Sequence, residues 1–144
     1  MSALGREPGI RPFRAVTVVA SGAVLAEVWC NTTVAGDCTG HAETTAARLA
    51  SPQQPRAVLA GATLYSSAEP CVMCAGAIFW ANIGRVVHGI DAVRLRQYRG
   101  ERLDQRDADL SCRDVFAASP DAISCIGPVL ADEAAVVHDG AWKS

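Results

Sequence analysis

The sequence predicts an α/β domain on a mixed five-stranded sheet, with an antiparallel hairpin first and parallel strand-helix-strand units after it. Three observations carry this. Two apolar or alternating runs, Arg14 to Ala20 and Ala23 to Cys30, flank Ser21-Gly22, the pattern of two strands joined by a tight turn. Residues 62–89 read as a strand (Ala62 to Ser66), a helix (Cys71 to Ala81) and a strand (Arg85 to Gly89), a layout that implies a right-handed parallel crossover. Val72, Met73, Ala75, Ala77, Ile78, Phe79 and Trp80 leave that helix without a polar face, so something must cover it on both sides. One cover is the sheet; the other, on this reading, is a second copy of the chain.

Residues 1–12 read as an irregular arm and 13–144 as one domain, with 50% hydrophobic and 19% charged residues, a composition that folds. Arg6, Arg11 and Arg14 before the apolar stretch Ala15 to Ala26 imitate a secretory leader. Ser21-Gly22 breaks that stretch, and no apolar run reaches the roughly 18 residues of a membrane span. Of the six cysteines, Cys71 and Cys74 have metal-ligand spacing and the other four are scattered through apolar runs, which suits a reducing compartment, and the expectation is a cytoplasmic protein. A net charge of −2 gives no general pull toward phosphate backbones.

A helix opens at His41 and runs to Ala50, with Thr39 as candidate N-cap. Ser51 to Arg56 reads as a surface loop. Pro70 suits the first position of the next helix. Beyond residue 90, Arg94, Arg96, Arg99, Arg102 and Arg106 interleave with Glu101, Asp104, Asp107 and Asp109, which reads as a solvated helix and loop or, more sharply, as a lid. Ser111 can cap a helix from Cys112 to Ala118, Ala122 to Ile126 reads as a fifth strand, and Leu130 to Asp139 as a last amphipathic helix. His88 and His138 have no ligand spacing and read as structural; Trp142 either stacks at a pocket or packs.

Chemistry concentrates in His41-Ala42-Glu43 and Glu69-Pro70-Cys71-Val72-Met73-Cys74. One imidazole and two thiols, the latter at Cys-x-x-Cys spacing, can hold a zinc ion with its fourth position open. Water there drops in pKa from about 15.7 to roughly 7 and becomes a nucleophile near neutral pH. Glu43, two residues from His41, is the candidate for moving its proton. A competing arrangement uses Cys38 with His41, Cys71 and Cys74 to close a four-ligand structural site that could do no hydrolysis.

His-x-Glu followed by Pro-Cys-x-x-Cys resembles the signature of the zinc-dependent nucleobase and nucleoside deaminases. Asn31, the stretch Asp37 to Glu43, Ala62-Thr63-Leu64-Tyr65 and Ile83-Gly84-Arg85-Val86-Val87 extend the likeness, which lies nearest to guanine deaminases and tRNA wobble-adenosine deaminases. The resemblance implies a three-layer α/β/α cytidine deaminase-like fold, one Zn2+ per chain, a small-molecule substrate and a homodimer. The family's long N-terminal helix has no counterpart here. The resemblance also assigns substrate contacts to Asn31, Phe13, Ala42 and Trp80, and sets Arg14, where the family has glycine, at the pocket wall. Asn31 also has the ordinary reading of a turn former. A second carboxylate, used by some guanine deaminases, could come from Asp114, Asp132, Asp139 or the acids at 104–109. The implied reaction is hydrolytic deamination of a free purine base or nucleoside, guanine first, with a tRNA adenosine deaminase and a non-catalytic zinc module as alternatives.

Overall fold

The computed structural model describes residues 10–100, 107–121 and 123–142. Strands β1 (Arg14–Val18) and β2 (Val24–Trp29) form the expected hairpin, paired from Arg14 opposite Trp29 with a register shift at Thr17/Val18. Gly22 takes φ +92 in its turn, a left-handed conformation that costs glycine little. β1 also pairs antiparallel with β3 (Thr63–Ala68), which runs parallel to β4 (Arg85–Ile90), which runs parallel to β5 (Ser124–Ile126). The order β2-β1-β3-β4-β5 makes the sheet mixed and five-stranded, as the sequence predicts.

Alternation along the strands sends Ala15, Ala26, Leu64 and Val86 to one face. There they pack on α2 (Ala42–Ala50), α4 (Val72–Trp80) and α6 (Cys112–Phe116) in one core with Ala46, Ala47, Ala75, Ile78 and Phe116. Alanine dominates the inner face of α2, so the helix axis can come close to the sheet. The opposite face carries Val16, Trp29, Tyr65, Val87 and Ile126 by the same alternation. α7 (Ala131–Val136) packs on that face over Gly89, where a Cβ would fall 2.8 Å from Ala134. Trp29, Tyr65 and Ile126 are 37%, 41% and 47% exposed, so the third layer is only partly built there.

The helix starts differ from the expectation by one residue. His41 itself, extended at φ −66 and ψ 147, is the N-cap of α2, while Thr39 donates its N–H and hydroxyl to Asp37 Oδ1 in the preceding turn. Cys71 is the N-cap of α4, and Pro70 stands just before it. Two short helices, α1 (Thr32–Ala35) and α3 (Arg56–Leu59), and a 3-10 turn at Ser51–Gln53 occupy stretches with no helical period. α5 (Ala92–Arg99) carries Arg94, Arg96 and Arg99, which pair at the surface: Arg96 with Asp107 and Asp109, Arg99 with Asp107, and Arg94 with Asp132. Solvent screens such exposed pairs, and they contribute little to stability. Ser111 caps α6 as expected, accepting from Arg113 N at 3.3 Å. Glu101 to Arg106 and Ala122 lie outside the described residues. No helix among the described residues is long and apolar enough to cross a membrane.

The C-terminal segment closes over an aromatic cluster. His138, 1% exposed, lies 5.4 Å from Phe13, 6.3 Å from Tyr98 and stacks on Trp142 at 6.0 Å. Neither ring nitrogen has a hydrogen-bond partner among the described residues, and burial lowers the His138 pKa from 6.5 to about 4. Between those values the unfolded chain takes up a proton that the folded chain refuses, so stability falls as pH drops from about 6.5 to about 4. Urea midpoints across that window will fall less for His138→Phe than for wild type. At the mouth of β4, a Cβ on Gly84 would overlap the carbonyl of Ala60. Gly84→Ala will cost about 1–3 kcal/mol in equilibrium denaturation, since backbone and not a side chain must yield.

Candidate metal centre

Two helix N-termini meet at one spot. His41 opens α2 and Cys71 opens α4, with Cys74 three residues further on. His41 Nδ1 lies 3.7 Å from Cys71 Sγ and 3.5 Å from Cys74 Sγ, and the three ligand atoms fall within 4.8 Å of one another. Bonds of about 2.3 Å to sulfur and about 2.0 Å to nitrogen in a tetrahedron separate such donors by roughly 3.5–3.8 Å, so donor types and spacing both fit zinc. Cys38 is exposed and stands outside this group, so the described geometry does not build the closed four-ligand alternative.

The trio's own electrostatics separate charge. The Cys71 thiol is drawn down to about 4 by the hydrogen bond from Cys74 and by His41, against the opposing effect of burial. Cys74 is pushed up by Cys71 and by burial, and His41 is raised by its bond to Cys71. The positive ends of two helix dipoles add to the preference for thiolate. Thr44, one turn into α2, donates to Cys74 Sγ at 3.2 Å.

Glu43 sits at the second position of α2 and is 4% exposed. Its Oε1 accepts from Ser66 Oγ at 2.6 Å, and its Oε2 lies 3.5 Å from Cys74 Sγ. Burial raises the carboxyl pKa, and the Ser66 bond holds that rise back. One carboxylate oxygen is therefore anchored on β3 while the other faces the thiol. Neither Ser66 nor Thr44 stands out in the sequence; the signal for Ser66 is a hydroxyl in step with Leu64 on the strand face that packs inward.

The remaining expected residues are placed unevenly. Ala42 is fully buried at the first position of α2. Asn31 donates its N–H to Gly40 O at 3.0 Å, and its side-chain oxygen covers Gly40 so closely that a Cβ there would collide. That puts it one residue from His41. Phe13 turns its ring to His138 and Trp142, while its carbonyl accepts from Cys30 N at 3.0 Å. Trp80 is not brought to the trio: it ends α4, opposite the end that carries Cys71, and is 80% exposed, edge-on to Phe79. Arg14 also departs from the expectation. Its guanidinium pairs with Glu27 and lies 4.5 Å from the Trp29 ring, on the sheet face away from Ser66, because its neighbour Ala15 is the residue registered with Ser66. Asp132, Asp107 and Asp109 are engaged by arginines at the surface.

A family model described as the cytidine and deoxycytidylate deaminase zinc-binding region matches residues 5–90, which contain all three donors and Glu43. A probable cytosine deaminase of Schizosaccharomyces pombe is 36% identical over 145 residues, spanning 99% of this chain and 86% of that one. The guanine deaminase of Bacillus subtilis is 49% identical over 70 residues, which is 49% of this chain and 44% of that one. The structure of a guanine deaminase from Nitrosomonas europaea matches with a TM-score of 0.73 at 22% identity, covering 94% of this chain and 75% of that one, a likeness of fold.

Metal analysis separates the open trio from the closed site. Cys38→Ser will keep the zinc of this centre, and His41→Ala will lose it, as read by elemental analysis before and after chelator treatment.

Proposed function

Given that the chain belongs to the cytidine and deoxycytidylate deaminase zinc-binding family, and is a zinc-dependent nucleobase or nucleoside deaminase on that ground, we propose that it hydrolyses the exocyclic amine of a free nucleobase. The observation that carries the chemistry is Glu43: a buried carboxylate, one oxygen held by Ser66 at 2.6 Å and the other directed at the His41, Cys71 and Cys74 cluster. In this reading His41, Cys71 and Cys74 hold the zinc, which when bound supplies the acidity that makes a water nucleophilic near neutral pH. Glu43 Oε2 takes one proton from the attacking water and passes it to the ring nitrogen beside the amine-bearing carbon; it then takes the remaining proton of the added hydroxyl and delivers it to the amine, so that the C–N bond breaks, a carbonyl forms and ammonia leaves. Burial serves this cycle because a raised carboxyl pKa lets Glu43 both accept and give up a proton. Ala42 lines the base through its backbone, and Asn31, with donor and acceptor on one amide, reads its edge from the Gly40 side. Phe13 packs the wall behind it.

Guanine is the first base to test, on the strength of 49% identity over 70 residues to a protein named for it. Cytosine is the second reading, and a specific observation favours it: the relative named for that base aligns with 99% of this chain. A tRNA substrate fits less well, since the whole chain carries a net charge of −2. A homodimer belongs to the same proposal, because Trp80 and the half-buried Phe79 at the end of α4 offer an apolar surface for a second copy; sedimentation velocity at micromolar concentration will give twice the chain mass.

Ammonia release from guanine, guanosine, adenine, adenosine, cytosine, cytidine and an anticodon stem-loop decides the substrate. Turnover will favour a free base over its nucleoside, and salt-sensitive turnover of the stem-loop alone would refute this. Glu43→Gln will retain the zinc of this centre and lose about 10²–10⁴-fold in kcat.

A further inference from the structure

Three more side chains, His88, Cys112 and Cys125, form a trio with the same donor set as the first, and the chemistry above leaves them idle. One ligand atom from each lies within 4.8 Å of the other two, and the two sulfurs are 3.7 Å apart. Two thiolates sharing a tetrahedral zinc with bonds of about 2.3 Å stand roughly that far apart. The trio comes from three elements: His88 from β4, Cys112 from the first turn of α6 and Cys125 from the middle of β5. Both cysteines lie outside the residues matched by the zinc-binding family model.

The setting is built for an immobile ring. His88 is 1% exposed and Cys112 is fully buried, with Cys125 half-buried beside them. The imidazole lies flat against Gly127, where a Cβ would come within 2.5 Å of its Cε1 and Nε2, so any other residue would evict the ring. His88 O accepts from Val129 N at 2.9 Å, which fixes the backbone below it. Nδ1 is buried and has no hydrogen-bond partner among the described residues. An orphaned polar atom of this kind is costly, and a bound cation would let the ring meet its needs. Arg113 Nη1 approaches Nε2 at 3.5 Å, long for a hydrogen bond, and this exposed guanidinium is held instead by Gly127 O at 2.8 Å from Nη2. A dication with two thiolates is neutral overall, so the neighbouring arginine is no obstacle.

We propose that His88, Cys112 and Cys125 are a second, structural site for a divalent d10 cation of the zinc class, tying β5 and α6 to β4. A disulfide would join two of the three residues and leave the imidazole unsatisfied; an ion engages all three. Both elements it joins are short, β5 being three residues and α6 five, so each has few backbone hydrogen bonds of its own. Through the pairing of Ser66 with His88, the clasp stands one strand away from the serine that anchors Glu43.

The test is a metal count on the full chain, purified under reducing conditions, loaded with Zn2+ and dialysed into zinc-free buffer. Wild type will hold two zinc ions per chain, and Cys125→Ser will hold one. Cys71→Ser will also hold one, and the double variant none. A single zinc in wild type overturns the proposal, as does a count of two that survives Cys125→Ser, or a mass short by two hydrogens that reveals a Cys112–Cys125 disulfide. Cobalt titration of chelator-stripped wild type needs no substitution: thiolate-to-cobalt charge-transfer absorption will rise to two equivalents, and saturation at one equivalent refutes the second site.

Discussion

The close approach of α2 and α4 over one face of the sheet is the constraint on which the rest of the structure depends. His41, Glu43, Cys71 and Cys74 all sit in the first turn of one helix or the other, so their mutual geometry is the geometry of two helix starts. Alanines make that approach possible. Ala42, Ala46, Ala47 and Ala50 on α2 and Ala75 on α4 are all at most 1% exposed, and a larger side chain at any of them would lever one helix start away from the other. Packing at native density leaves no slack to absorb such a shift. Ile78 supplies the bulk that alanine lacks, filling the core between α4 and the sheet.

The parts of this molecule legible in the sequence are those whose signal is local. Ser21-Gly22 between two apolar runs marks the hairpin because a two-strand turn demands particular residues at particular places. Cys71-x-x-Cys74 and His41-x-Glu43 mark the centre because the metal needs donors on single helical turns. The helix starts shift by one because His41 and Cys71 adopt extended backbone and stand as the N-caps, whereas propensity alone favours Thr39 and Pro70 for the terminal roles.

What sequence spacing could not show is what the sheet brings together. Ser66 meets Glu43, and His88 meets Cys112 and Cys125, across strands and loops that carry no periodic mark. Arg14 and Trp80 stand away from the trio for the opposite reason, since proximity in a motif does not fix direction. Arg14 is one residue from Ala15, yet strand alternation turns its side chain to the other side of the sheet, where Glu27 and Trp29 receive it. Trp80 closes the helix that Cys71 opens, and a nine-residue helix separates its ends by about 13 Å.

The hydrogen bond that ties one oxygen of Glu43 to Ser66 also limits what the carboxyl group can do in time. With Oε1 occupied, a single oxygen is left to deal with hydrogen ions, and it can carry only one at once. Under the proposed chemistry, uptake from water and delivery to the base alternate on the same atom. A buried acid of this design works like a turnstile: each passage must finish before the next begins.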